Sequence, residues 1–86
     1  VWVYVWGRLN RGEKDFIIYL LENDKVFKKD LNENFPYSRS SINRFIESLS
    51  NRGIIGFNSE DGYYILDNLL RIWLKIKFQN NGIYPE

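Results

Sequence analysis

The stretch Pro36-Tyr37-Ser38-Arg39-Ser40-Ser41-Ile42-Asn43-Arg44-Phe45-Ile46-Glu47-Ser48-Leu49-Ser50-Asn51-Arg52-Gly53 decides how the chain is read. Ile42, Phe45, Ile46 and Leu49 recur at i, i+3, i+4 and i+7, the spacing that gathers apolar side chains on one helix face. Ser38 stands where a hydroxyl can cap the first turn, and Asn51-Arg52-Gly53 supplies the stop. The spacing predicts a helix over Arg39–Asn51, with its apolar stripe in the core and a polar face opposite.

Outward from that helix, Phe27, Leu31 and Phe35 fall four apart, which predicts a short helix over Lys28–Asn34 that ends before Pro36. Further upstream, Phe16, Ile17, Leu20 and Leu21 follow the acids Glu13 and Asp15, and Gly12 marks the start of a helix over Glu13–Asn23. The opening residues alternate Val1, Val3 and Val5 with Trp2, Tyr4 and Trp6, which by composition fits a β-strand apolar on both faces. Residues 1–12 are accordingly set apart as an N-terminal extension.

Downstream, Ile54-Ile55-Gly56-Phe57 and Tyr63-Tyr64-Ile65-Leu66 flank the turn-formers Asn58-Ser59-Glu60-Asp61-Gly62, which predicts a β-hairpin with a five-residue loop. Asp67 then stands at an N-cap position before Leu69, Leu70, Ile72, Trp73, Leu74, Ile76 and Phe78, a strongly apolar helix over 67–78. Residues 79–86 read as a loop.

The whole is 86 residues, room for one domain over 1–86. It is 44% hydrophobic, with three Trp, six Tyr and six Phe, too apolar for a disordered chain. It lacks the long apolar run of a membrane span, so no membrane partner and a cytoplasmic location are expected. The absence of Cys and His removes disulfides, thiolate metal sites and the commonest general base. No glycine-rich phosphate loop ending in Lys-Ser/Thr is present. Paired acids such as Glu22/Asp24 and Glu60/Asp61 read as solvated loop residues. No enzyme activity, metal or cofactor is expected of these residues. A chain that opens on Val1 without any Met is expected to be part of a longer one.

Helix, helix, tight turn, helix, then hairpin is the order of a winged helix-turn-helix, in which the third of these helices can enter the DNA major groove. The expected fold is mainly α with a small β-hairpin, joined by a short strand near Val26-Phe27, with the winged-helix core over 13–66. Residues 36–55 resemble the recognition-helix stretch of that superfamily, with Ser and Arg at the helix start, an apolar stripe and a glycine leading into the wing.

The stretch Gly62-Tyr63-Tyr64-Ile65-Leu66-Asp67-Asn68-Leu69-Leu70-Arg71-Ile72-Trp73-Leu74 resembles the end of the winged helix that follows the nucleotide-binding domain in archaeal AAA+-type ATPases. Those domains show a tyrosine-bearing wing strand, then Asp, Pro, a Leu-Leu or Val-Leu pair, Arg and an aromatic. Asn68 stands where the family has proline. The resemblance implies a C-terminal DNA-binding or regulatory domain of such an ATPase.

Net charge is +1, so any attraction to DNA must be local. Divided into 1–37, 38–53 and 54–86, the chain is net positive only over 38–53, with three basic residues against one acid. On the polar face of the 39–51 helix, hydroxyls, amides and guanidiniums are the groups that bond phosphates and base edges. The candidate contacts with double-stranded DNA are Arg39, Ser40, Ser41, Asn43, Arg44 and Ser48, with Lys28 and Lys29 as backbone support. Glu47 on that face opposes phosphate, and the acidic hairpin loop offers it no base.

The plain alternative is a solvated polar face on a protein-interaction module that docks on its own ATPase domain or on another subunit. The wide apolar arc of the 67–78 helix points to a second covered face. Leu70, Leu74 and Phe78 are its candidate interface, with the segment Val1–Trp6, a second copy of the chain or the ATPase domain as the cover.

Overall fold

A computed structural model describes residues 2–85, and the side chains of Trp2 and Val3 lie outside that description along with Val1 and Glu86. Among the described residues the chain forms five helices and one hairpin: α1 Trp2–Gly7, α2 Arg11–Glu22, α3 Lys28–Asn34, α4 Arg39–Asn51, β1 Ile55–Asn58, β2 Gly62–Ile65 and α5 Asn68–Asn81. This mainly helical architecture with a two-stranded antiparallel hairpin is compatible with a winged helix.

Caps fix the helix starts. The Ser38 hydroxyl accepts from the Ser41 N–H (3.2 Å) at the head of α4, and Asp67 Oδ1 accepts from the Leu70 N–H (3.1 Å) at the head of α5. α2 starts two residues earlier than its apolar spacing indicates because Asn10 caps it. Asn10 Oδ1 accepts from the Glu13 N–H (2.8 Å), and Glu13 Oε1 accepts from the Asn10 N–H (3.0 Å). That reciprocal pair is a capping box. Gly12 lies inside the helix at a close crossing, where a Cβ would come within 2.2 Å of the Phe45 ring.

The hairpin pairs Ile55 with Ile65 and Asn58 with Gly62, so its loop is the three residues Ser59–Asp61 rather than five. Asn58 Oδ1 closes it by accepting from the Glu60 N–H (2.7 Å). Val26 adds isolated bridges to Gly62 and Tyr63 and forms no third strand. Gly62 has φ +79°, and a Cβ there would meet the Val26 carbonyl at 2.1 Å, so both conformation and space require glycine.

The core gathers Phe16, Ile17 and Leu20 of α2, Leu31 of α3, Ile42, Phe45 and Leu49 of α4, and Ile55 and Ile65 of the hairpin. A run of ring contacts threads it from Phe57 through Tyr63, Phe16, Phe35 and Tyr37 to Phe45, with successive centroids 4.9–6.5 Å apart.

Two expectations are overturned at the chain ends. Residues 2–7 are helical where a strand over Val1–Trp6 was expected; Val1 itself falls outside the described residues. The Val/Trp alternation pairs apolar with apolar and so carries no inside–outside signal. Val5, Trp6 and Leu9 instead stand at i, i+1 and i+4 and pack on the core, Trp6 and Leu9 fully buried. The segment set apart as an extension thus supplies core residues. At the other end α5 runs on to Asn81 instead of giving way to a loop at 79, and Gly82 ends it in the left-handed region (φ +76°). Trp6 Nε1 donates to the Pro85 carbonyl (3.0 Å), which draws the two ends together.

Candidate nucleic-acid interface

α4 turns Ile42, Phe45 and Leu49 inward, and at about 100° per residue the opposite face carries Ser40, Asn43, Arg44, Glu47 and Asn51. All five are exposed, as is Arg39 in the first turn. Lys28 and Lys29 are exposed in the first turn of α3, the helix that precedes α4 across the Phe35–Ser38 turn. Arg39, Ser40, Asn43 and Arg44 therefore share one accessible surface.

Two serines expected on that surface are otherwise occupied. Ser48 is turned toward α2, where its Oγ donates to Glu13 Oε2 at 2.6 Å, so it is a link within the fold and not a free DNA contact. Its angular position, on the flank beside Phe45, puts it against α2. Ser41 is half-buried, and its Oγ accepts from the Ser38 hydroxyl (3.0 Å) and from Arg44 Nη2 (3.2 Å). Ser41 holds the Arg44 side chain back along the helix and offers little to a ligand directly.

Glu13 was legible in the sequence only as a first-turn acid. It is 3% exposed, and its two oxygens take the Asn10 N–H and the Ser48 hydroxyl, so one carboxylate both caps α2 and ties it to α4. The Asn10-x-x-Glu13 spacing is the signal that identifies the cap.

A second buttress lies at the turn that leads into α4. Tyr37 Oη donates to Asp15 Oδ2 (2.6 Å), and Arg11 makes a 2.6 Å ion pair with Asp15 Oδ1. Partial burial pushes the Asp15 carboxyl up, but the bonds from Arg11 and Tyr37 outweigh it and hold the group below its ordinary value. The hydrogen bond to that carboxylate, with burial second, raises the Tyr37 phenol.

The proposed interface on α5 is corrected. Leu70 and Leu74 are fully buried and belong to the core, whereas Phe78 remains 40% exposed and stacks on Tyr84 at 4.6 Å between centroids. Both arcs of the helix are apolar, so hydrophobicity alone does not decide which one faces inward. The structure turns Leu70 and Leu74 in and leaves Leu69 (57% exposed), Ile72 (43%) and Ile76 (48%) facing out.

Among the described residues, no helix is long and apolar enough to cross a membrane. Comparison of the chain with protein families, with curated proteins and with solved structures finds no match.

Proposed function

We propose that the chain binds double-stranded DNA through α4, with Arg39, Ser40, Asn43 and Arg44 as its contacts and Lys28 and Lys29 as flanking support. The observation that carries this reading is the outward face of α4, which is exposed and polar, with two guanidiniums and an amide free of ion pairs among the described residues. Asn and Arg are the side chains that pair bidentately with adenine and guanine edges. The resemblance of residues 62–74 to the C-terminal winged helix of archaeal ATPases supports a place in a larger ATPase of that kind. Fluorescence anisotropy with a labelled duplex tests the binding. We expect a Kd on the order of micromolar in 50 mM salt that weakens about 40- to 500-fold by 200 mM, for three to five neutralised phosphates. No affinity in 50 mM salt rejects the reading.

The second reading, a protein-interaction module, is favoured by the exposed Leu69, Ile72 and Ile76 on α5. Arg71, Lys75 and Lys77 flank these residues and α5 has no acid, so the face suits the own ATPase domain or another subunit bearing acids better than a second copy of itself.

A further inference from the structure

Beside α4 lies a cleft of about 350 Å³ lined by Arg8, Asn10, Glu13, Arg44, Ser48 and Arg52, with the edge of Phe45. Arg8 comes from the connection between α1 and α2, Arg44 from the middle of α4 and Arg52 from its C-cap. Arg8 and Arg52 also border the adjoining cleft formed with Val5, Gly53, Ile54 and Asp67. Three arginines distant in sequence are thus assembled around one opening. All three are exposed, and among the described residues none of them forms an ion pair.

The charge balance within the cleft is three guanidiniums against one carboxylate. Glu13 is buried with both oxygens already hydrogen-bonded, so it lowers the positive potential without occupying any of the arginines. Asp67, at the neighbouring cleft, spends Oδ1 on the Leu70 N–H. Three guanidiniums around a single carboxylate keep a net repulsion among themselves, and an oxyanion that accepts from several at once relieves it. Planar guanidinium forks match the paired oxygens of a phosphate.

We propose that this cleft is a phosphate-binding site, and that in the complex with duplex DNA it clamps one backbone phosphate at the edge of the exposed face of α4. The phosphate chemistry stands on the three arginines; the duplex as its source rests on the function proposed above. Arg44 belongs to both surfaces, so a phosphate held here would fix the register in which α4 meets the bases.

The test has two arms, each run on the wild type and on the double variant Arg8→Gln/Arg52→Gln, whose fold is checked by its thermal midpoint. In the first, inorganic phosphate is titrated against chloride at constant ionic strength while the arginine side-chain N–H signals are followed by NMR. Saturable shifts of Arg8, Arg44 and Arg52 are expected, and they should vanish in the double variant. In the second, duplex affinity is measured across salt concentrations. The double variant should bind at least about tenfold more weakly on any sequence, with a salt slope shallower by about 0.9, the share of one phosphate. A Lys25→Gln control should leave the arginine shifts unchanged. Saturable phosphate shifts without duplex affinity, or with an unchanged salt slope, uphold the site and reject the duplex as its source. Linear, unsaturable shifts in the wild type overturn the site itself, whatever the duplex does.

Discussion

Asp15 takes a 2.6 Å bond from Tyr37 on one side and the Arg11 ion pair on the other, and the pH dependence of stability follows from that geometry. Its carboxyl is held below the ordinary 3.8, so its contribution is present above that value and is lost as pH falls through the lower, folded one. The Tyr37 phenol is raised, so its share is intact below the ordinary 10.0 and fades as pH rises beyond it. Tyr37→Phe should cost about 1 kcal/mol at pH 7. Urea unfolding should show that deficit narrowing below the carboxylate range, where Asp15 is protonated in both proteins. A deficit that stays constant down to pH 2 would mean the hydroxyl acts through packing alone. At this scale the sequence was legible where partners are near neighbours, as in the Ser38 and Asp67 caps, while the Asn10–Glu13 box lay outside a reading based on apolar spacing. The Asp15–Tyr37 and Glu13–Ser48 pairs are brought together only by the folded chain, and no spacing rule points to them.

α4 separates binding from packing along its two faces. Arg44→Ala should weaken duplex binding by about 1–3 kcal/mol and leave the thermal midpoint nearly unchanged, because the side chain stands off the packed stripe. Ile42→Ala should cost about 2–5 kcal/mol of stability through the cavity it leaves, since Ile42 is fully buried. Anisotropy and thermal melts on the same two variants check both expectations. If Arg44→Ala matched Lys25→Gln in affinity, α4 would not be the reading helix. The bounds of α4 follow the sequence because cap, stop and a period of 3.6 agree there, and α3 follows from apolar residues four apart ahead of Pro36. α1 departs from the expected strand because β-branched and aromatic residues favour a strand until packing decides otherwise, and six residues are too few to show a period. α5 was legible as a helix from its Asp67 cap, but not in its rotation.

In the molecule as a whole, the exposed α5 residues give the second functional reading its own test. If copies meet through Leu69, Ile72 and Ile76, sedimentation equilibrium at tens of micromolar should show masses above 10.4 kDa. Association should strengthen with salt, as screening relieves the repulsion among Arg71, Lys75 and Lys77. Ile72→Glu should abolish it without unfolding, whereas Leu74→Glu, placing a charge in the core, should unfold the domain. A monomer at every salt concentration removes self-pairing and leaves an acidic partner for that face. The bond from Trp6 to Pro85 has a different kind of consequence. It spans 79 positions of sequence and closes the path of the chain almost into a loop, so where that loop is cut matters little to the contacts inside it. A circular permutant, with its old ends joined by a short Gly/Ser linker and new ends opened at Glu60, should retain the native fold, at an entropic cost that grows only slowly with linker length.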